Sequence, residues 1–160
     1  MEMTPIVIIT LFSADKVRLD DESVSRVLNG DYPVRVKSKI LATIREFVPA
    51  SDKKSIVGFL PVTRESRDVT KFYPIPFPED ITQDHYGELA LYLAPEVPCS
   101  VVSDLIVREK NGHLACKSDF VRGKAAVIIG DSCDDWSEIA TCLEEAGAES
   151  VKCISIVDNK

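Results

Sequence analysis

Residues 122–158, RGKAAVIIGDSCDDWSEIATCLEEAGAESVKCISIVD, carry the pattern that decides the fold of this chain. The apolar run at 126–129 predicts a buried strand, and the apolar run at 150–158 predicts another. Between them, apolar residues recur at helical spacing over 137–146, and Gly147 follows as a helix C-cap. A strand, a helix and a strand in this order predict two parallel strands connected by a helix.

The rest of the chain continues this alternation of strands and helices. Buried strands are predicted at 5–12 and 55–62, and helices at three segments: one capped by Asp20 or Asp21, one over 38–48 and one over 81–94. Two further apolar segments flank Asn111-Gly112, a dipeptide typical of a two-residue hairpin turn. The sequence therefore predicts a single α/β domain over residues 1–160, with a mostly parallel central sheet, flanking helices and a β-hairpin.

Composition and charge narrow the class of protein. With 160 residues, of which 45% are hydrophobic and 28% charged, the chain has the size and apolar content of one folded domain. No stretch approaches the ~20 apolar residues that span a bilayer, and the N-terminus lacks the basic region of a signal peptide. We therefore expect a cytoplasmic protein with no membrane partner. The net charge of −7 argues against a nucleic-acid partner, because that binding depends on Lys and Arg that neutralise phosphates. The sequence leaves open whether the chain forms a homo-oligomer.

The five cysteines do not form a recognisable motif. They are widely spaced, odd in number and without a CxxC pair: Cys99, Cys116, Cys133, Cys142 and Cys153. This pattern argues against both a disulfide framework and a zinc site. Buried thiols in a reducing compartment are the simplest interpretation.

An acidic segment follows the strand at 126–129, at the end where ligands bind in folds of this class. It comprises Gly130, Asp131, Ser132, Cys133, Asp134 and Asp135. Three carboxylates beside a helix N-terminus are suited to Mg²⁺ or to ribose hydroxyls. The alternative is that Asp134 and Asp135 only cap the helix, with Asp135 and Glu138 as a capping box. The local pattern alone favours capping.

Residues 122–158 resemble the region around the phosphoribosyl diphosphate (PRPP) loop of type I phosphoribosyltransferases. In that family the chain passes through a turn, an apolar strand, two acids and a Thr-Thr-Gly-type loop. A helix ending in Ala-Gly-Ala and another strand then follow. The preceding hairpin resembles the flexible flap of the orotate and competence-type members. Residues 56–67, IVGFLPVTRESR, resemble the loop that helps hold pyrophosphate. The resemblance implies that Asp131 contacts ribose hydroxyls, and that Arg64, Arg67 and Lys71 lie on the pyrophosphate side.

The chain departs from this family at the loop itself. The acid pair is replaced by Gly130-Asp131, and the Thr-Thr-Gly loop by the shorter segment 132–135. The family loop wraps a 5-phosphate with backbone amides and hydroxyls, whereas carboxylates repel it. At ~4–6 Å and an effective dielectric constant of about 20, each carboxylate costs roughly 3–4 kcal/mol. We therefore expect a phosphoribosyltransferase-like pseudoenzyme, related to nucleotide metabolism, that binds a nucleotide-like ligand or a protein partner.

Two enzymatic alternatives remain. The first is an active phosphoribosyltransferase, in which a nitrogenous base displaces pyrophosphate from Mg²⁺-bound PRPP. The second is an Mg²⁺-dependent phosphatase, because GDSCDDW (130–136) also resembles the late acidic motif of haloacid-dehalogenase-type phosphatases, with Asp131 and Asp134 on the metal. That family needs an Asp-x-Asp after its first strand, and this chain has only Asp15 there.

Overall fold

The computed structural model describes residues 7–12, 19–28, 30–48, 54–60, 82–102, 105–108, 114–116, 118–130 and 136–157. The strands are β1 (Val7–Phe12), β2 (Ser55–Phe59), β3 (Ser100–Val101), β4 (Ile106–Arg108), β5 (Leu114–Cys116), β6 (Ala125–Gly130) and β7 (Ser150–Val157). The helices are α1 (Asp21–Leu28), α2 (Val34–Phe47), α3 (Thr82–Leu93), α4 (Ser118–Val121) and α5 (Ser137–Glu145). The predicted α/β class is confirmed.

A five-stranded sheet in the order β1-β7-β6-β2-β3 forms the centre, and all its neighbouring strands are parallel. β6 lies in the middle and is buried from Ala126 to Gly130. Its register with β7 runs from Ala125 opposite Ser150 to Gly130 opposite Ser155. Strands buried on both faces need continuous apolar runs, which is why the run at 126–129 identified β6. The predicted strand–helix–strand unit of β6, α5 and β7 is confirmed.

The two faces of the sheet pack against different helices. On one face, Phe59, Ile129 and Ile154 belong to a cluster that includes buried residues of all three N-terminal helices: Val27, Ile40, Ile44, Leu89 and Leu93. On the other face, Ile56, Ile128 and Cys153 pack with the inner side of α5 through Ile139 and Leu143. Alternate residues of each strand point to opposite faces, so each buried strand contributes to both clusters.

The helix ends match the sequence in part. Asp20 caps α1 as predicted, because the backbone N–H of Ser23 donates to its Oδ1 at 2.7 Å. Hydrogen bonds from the Ser23 side chain and backbone hold the pKa of Asp20 below its ordinary value. Gly147 has a φ of 101°, as the predicted C-cap requires. α2 begins at Val34 rather than at residue 38, because Pro33 precedes it and its carbonyl accepts from Lys37 N–H at 3.0 Å.

The capping box predicted for α5 stays a prediction, because Asp135 lies outside the described residues. α5 begins at Ser137 as predicted, after Trp136, whose side chain makes no hydrogen bond to the first turn.

The predicted hairpin is present as an antiparallel pair of β4 and β5. Its register differs from the prediction, because Arg108 pairs with Leu114. A regular two-residue turn at Asn111-Gly112 would place Arg108 opposite Ala115. The connection is therefore one residue out of register with that turn, and the turn residues themselves lie outside the described ranges.

Among the described residues, every helix is too short or too polar to span a bilayer.

Because Gly58 has no side chain, Leu105, the residue before β4, can pack closely against β2. A Cβ at this position would lie 2.6 Å from Cδ2 and 3.0 Å from Cβ of the fully buried Leu105. We expect Gly58→Ala to lower the free energy of unfolding by about 1–3 kcal/mol in urea denaturation, because the packed core cannot yield freely. Gly87→Ala is the matched control: a Cβ there meets nothing within 4 Å, and the change should raise stability by about 0.5–1 kcal/mol. Equal effects at the two glycines would contradict this account.

Candidate functional site

The carboxyl ends of β2 and β6 lie side by side. Phe59 pairs with Ile129, and the backbone N–H of Leu60 donates to the Ile129 carbonyl at 2.8 Å. The segment with the candidate pyrophosphate residues follows β2, and the acidic segment follows β6. The two segments that the sequence assigns to one ligand therefore leave the sheet at adjacent points of the edge where such folds bind ligands.

Only one of the candidate ligand residues belongs to the described part of the chain. Gly130 is the last residue of β6. The other candidates lie outside the described residues, and their assignments stay predictions: Asp131, Ser132, Cys133, Asp134, Asp135, Arg64, Arg67 and Lys71. Within the described ranges, no group of three or more His, Cys, Asp or Glu side chains is arranged to hold a metal ion. The assignment of Mg²⁺ to Asp131 and Asp134 is likewise a prediction.

Gly130 is enclosed by two apolar side chains. A Cβ at this position would lie 2.9 Å from Cδ2 of Leu60, 3.0 Å from its Cβ and 3.1 Å from Cη2 of Trp136. The methyl group of Leu60 could rotate away, but its Cβ and the indole ring are fixed by the backbone and by packing. In type I phosphoribosyltransferases, which this part of the sequence resembles, the first acid of the pair stands at the matching position. In this chain Leu60 and Trp136 already occupy the space that such a side chain would need.

Trp136 anchors this end of the sheet to α5. Its side chain is only 4% exposed and packs in the cluster that contains Ile139, Ala140 and Leu143. This burial makes Trp136 a packing residue and leaves no exposed indole face on which a base could stack. Leu60, Gly130 and Trp136 together form an apolar floor beneath the point where the acidic segment starts.

Ser155 lies opposite Gly130 on β7. It is buried, and its hydroxyl donates to the carbonyl of Val157 at 3.1 Å, within its own strand. This hydroxyl serves the backbone at the end of β7. It does not supply a polar group to the edge of the sheet.

The sequence did not reveal an aromatic stack next to the end of β2. The Tyr86 ring lies 4.7 Å from the ring of Phe59 and 6.3 Å from that of Tyr32, with nearly parallel planes. All three residues are buried and belong to the cluster shared with α1, α2 and α3. They come from three separate parts of the chain, so no local spacing could have indicated the stack. The three rings fill the space between the end of β2 and the helices on this face.

A positively charged side chain, Arg35, lies at the same edge of the sheet, next to β1 and so beyond β7 as seen from β6. The guanidinium of Arg35, in the first turn of α2, lies 5.6 Å from the centre of the Phe12 ring at the end of β1. This separation is within the range of a cation–π contact. Arg35 is exposed, so it remains accessible from solvent at this edge.

No protein-family model and no curated protein sequence matches this chain. The parallel sheet and hairpin agree with the α/β fold that the resemblance to type I phosphoribosyltransferases implies, and they identify no family by themselves.

The close packing at Gly130 predicts an energetic coupling with Leu60. We expect Gly130→Ala to destabilise the protein by about 1–3 kcal/mol in urea denaturation, because the new methyl group meets the side chains of Leu60 and Trp136. Part of this cost should disappear in a Leu60→Ala background, where the nearest methyl carbon is absent. The same cost in both backgrounds would contradict the steric account.

Proposed function

We propose that this protein is a non-catalytic, phosphoribosyltransferase-like scaffold that binds a nucleotide-like ligand or a protein partner at the carboxyl edge of its sheet. The observation that carries the proposal is the enclosure of Gly130 by Leu60 and Trp136. An acid pair at the end of this strand is central to the resembling family. The first acid is missing here, and packing opposes its restoration.

Electrostatics support the same conclusion. The acidic segment contributes Asp131, Asp134 and Asp135 immediately before α5, and Glu138 adds a fourth carboxylate in its first turn. The dipole of a helix N-terminus favours an anion by only ~0.3–1 kcal/mol at an exposed site. Each carboxylate near a phosphate costs several times more at an effective dielectric of about 20. A phosphate dianion is therefore a poor ligand for this segment.

The active-transferase alternative has one observation in its favour. The ends of β2 and β6 are neighbours, so the candidate pyrophosphate segment and the acidic segment start close together. The phosphatase alternative has less support. That chemistry needs an acid after β1 to meet the acidic motif after β6, and β7 lies between these two strands. At ~4.8 Å per strand, their ends are about 10 Å apart.

Calorimetric titration with PRPP and with sulfate, with and without Mg²⁺, tests the proposal. We expect no binding by the wild-type protein. We expect measurable binding by the double variant Asp134→Thr with Asp135→Thr, because two repelling charges are removed and two hydroxyls are added. The matched control is Glu145→Gln with Glu149→Gln, which removes two exposed carboxylates distant from the acidic segment in sequence. An equal gain in this control would show that net charge, not the segment, governs binding.

Binding and activity assays together separate the alternatives. Micromolar binding of PRPP by the wild type, which corresponds to a binding free energy of about −8 kcal/mol, would contradict the proposal. Turnover that is lost in Asp131→Asn would establish the transferase. Mg²⁺-dependent hydrolysis of p-nitrophenyl phosphate, lost in Asp131→Asn and in Asp134→Asn, would establish the phosphatase.

A further inference from the structure

Two cysteines that are far apart in the sequence meet between the hairpin and α5. Cys116 is the last residue of β5, and Cys142 lies in α5. The Cys116 thiol donates to the backbone carbonyl of Cys142 with a separation of 3.6 Å. The side chains of Cys116 and Cys142 are close enough that each thiol alters the pKa of the other. Both residues are half-buried, so small reagents in solvent can reach them.

We propose that Cys116 and Cys142 form a reversible disulfide that fastens the β4–β5 hairpin to α5 when a low-molecular-weight disulfide such as glutathione disulfide is present. The Cys116 sulfur already contacts the backbone of Cys142 at 3.6 Å, where β5 packs on α5, so a change of side-chain rotamer can bring the two sulfurs to bonding distance. The other described cysteines are placed differently. Cys153 is buried within the sheet, and Cys99 packs on the opposite face.

The exchange balances in two steps. The Cys116 thiolate attacks one sulfur of glutathione disulfide, which forms a mixed disulfide and releases one glutathione thiolate. The Cys142 thiolate then attacks the sulfur of Cys116 and releases the second glutathione. Each cysteine gives its proton to solvent, and each departing glutathione takes one up. The protein pair is oxidised by two electrons, and glutathione disulfide is reduced to two glutathione molecules.

The local environment makes this exchange slow. Burial raises the pKa of the Cys116 thiol, although its hydrogen bond with Cys142 partly opposes this effect. Burial, then the neighbouring Cys116, Glu145 and Glu138, raise the pKa of Cys142 to about 12. Little thiolate is therefore present near neutral pH, and oxidation should proceed over minutes to hours rather than seconds. Cys116 attacks first, because the neighbouring Cys116, Glu145 and Glu138 raise the pKa of Cys142 beyond the effect of burial.

The test uses the full chain in glutathione buffers of increasing oxidised fraction, followed by alkylation of remaining thiols and peptide mapping by mass spectrometry. Trypsin leaves Cys133 and Cys142 in one peptide, residues 125–152. The mapping is therefore done on Cys133→Ser as well as on the wild type. We expect residues 111–117 linked to residues 125–152 in both proteins. The link should be lost in Cys116→Ser and in Cys142→Ser, and retained in Cys99→Ser.

Hydrogen exchange gives a second readout that does not depend on any variant. In the oxidised wild-type protein, the backbone amides that pair β4 with β5 should exchange at least tenfold more slowly than in the reduced protein. Glutathione adducts without a link, a link to another cysteine, or unchanged exchange in the linked protein would each overturn the proposal.

Discussion

The pairing of β6 with β2 on one side and β7 on the other is the interaction on which the described structure depends. Within this described sheet, β6 joins the pair formed by β2 and β3 to the pair formed by β7 and β1. Its side chains enter both clusters, so the helices on either face are packed against it. A parallel strand in this position must be apolar on both faces. This requirement explains why so short a run identifies the architecture.

The same strand determines what its end can do. Where β6 ends, Leu60, which follows β2, and Trp136, the N-cap of α5, converge on Gly130. Close packing and a polar ligand site compete for this space, and packing occupies it. Any ligand contacts here must come from the segments beyond the strand ends, where the charges of Asp131, Asp134 and Asp135 are concentrated.

How much the sequence predicted depended on the range of each interaction. Apolar periodicity is local and strong, so β2, β6, β7, α3 and α5 were predicted within a few residues of their bounds. The register of the hairpin was wrong, because one residue of backbone geometry decides it. The steric role of Gly130, the stack of Tyr32, Tyr86 and Phe59, and the contact of Cys116 with Cys142 join elements distant in the chain. No spacing along the sequence encodes such contacts.

The place of β1 in the sheet has a consequence for how the molecule assembles. Its partner in the sheet is β7, with Val7 opposite Lys152, so the earliest described strand pairs with the last. The chain entropy that must be lost before such a contact forms grows with the separation of its partners. β1 pairs with β7 and with no other strand of the described sheet, so it can join the sheet only after β7 is in place. Until then its apolar residues are exposed and can pair with another chain, which favours aggregation.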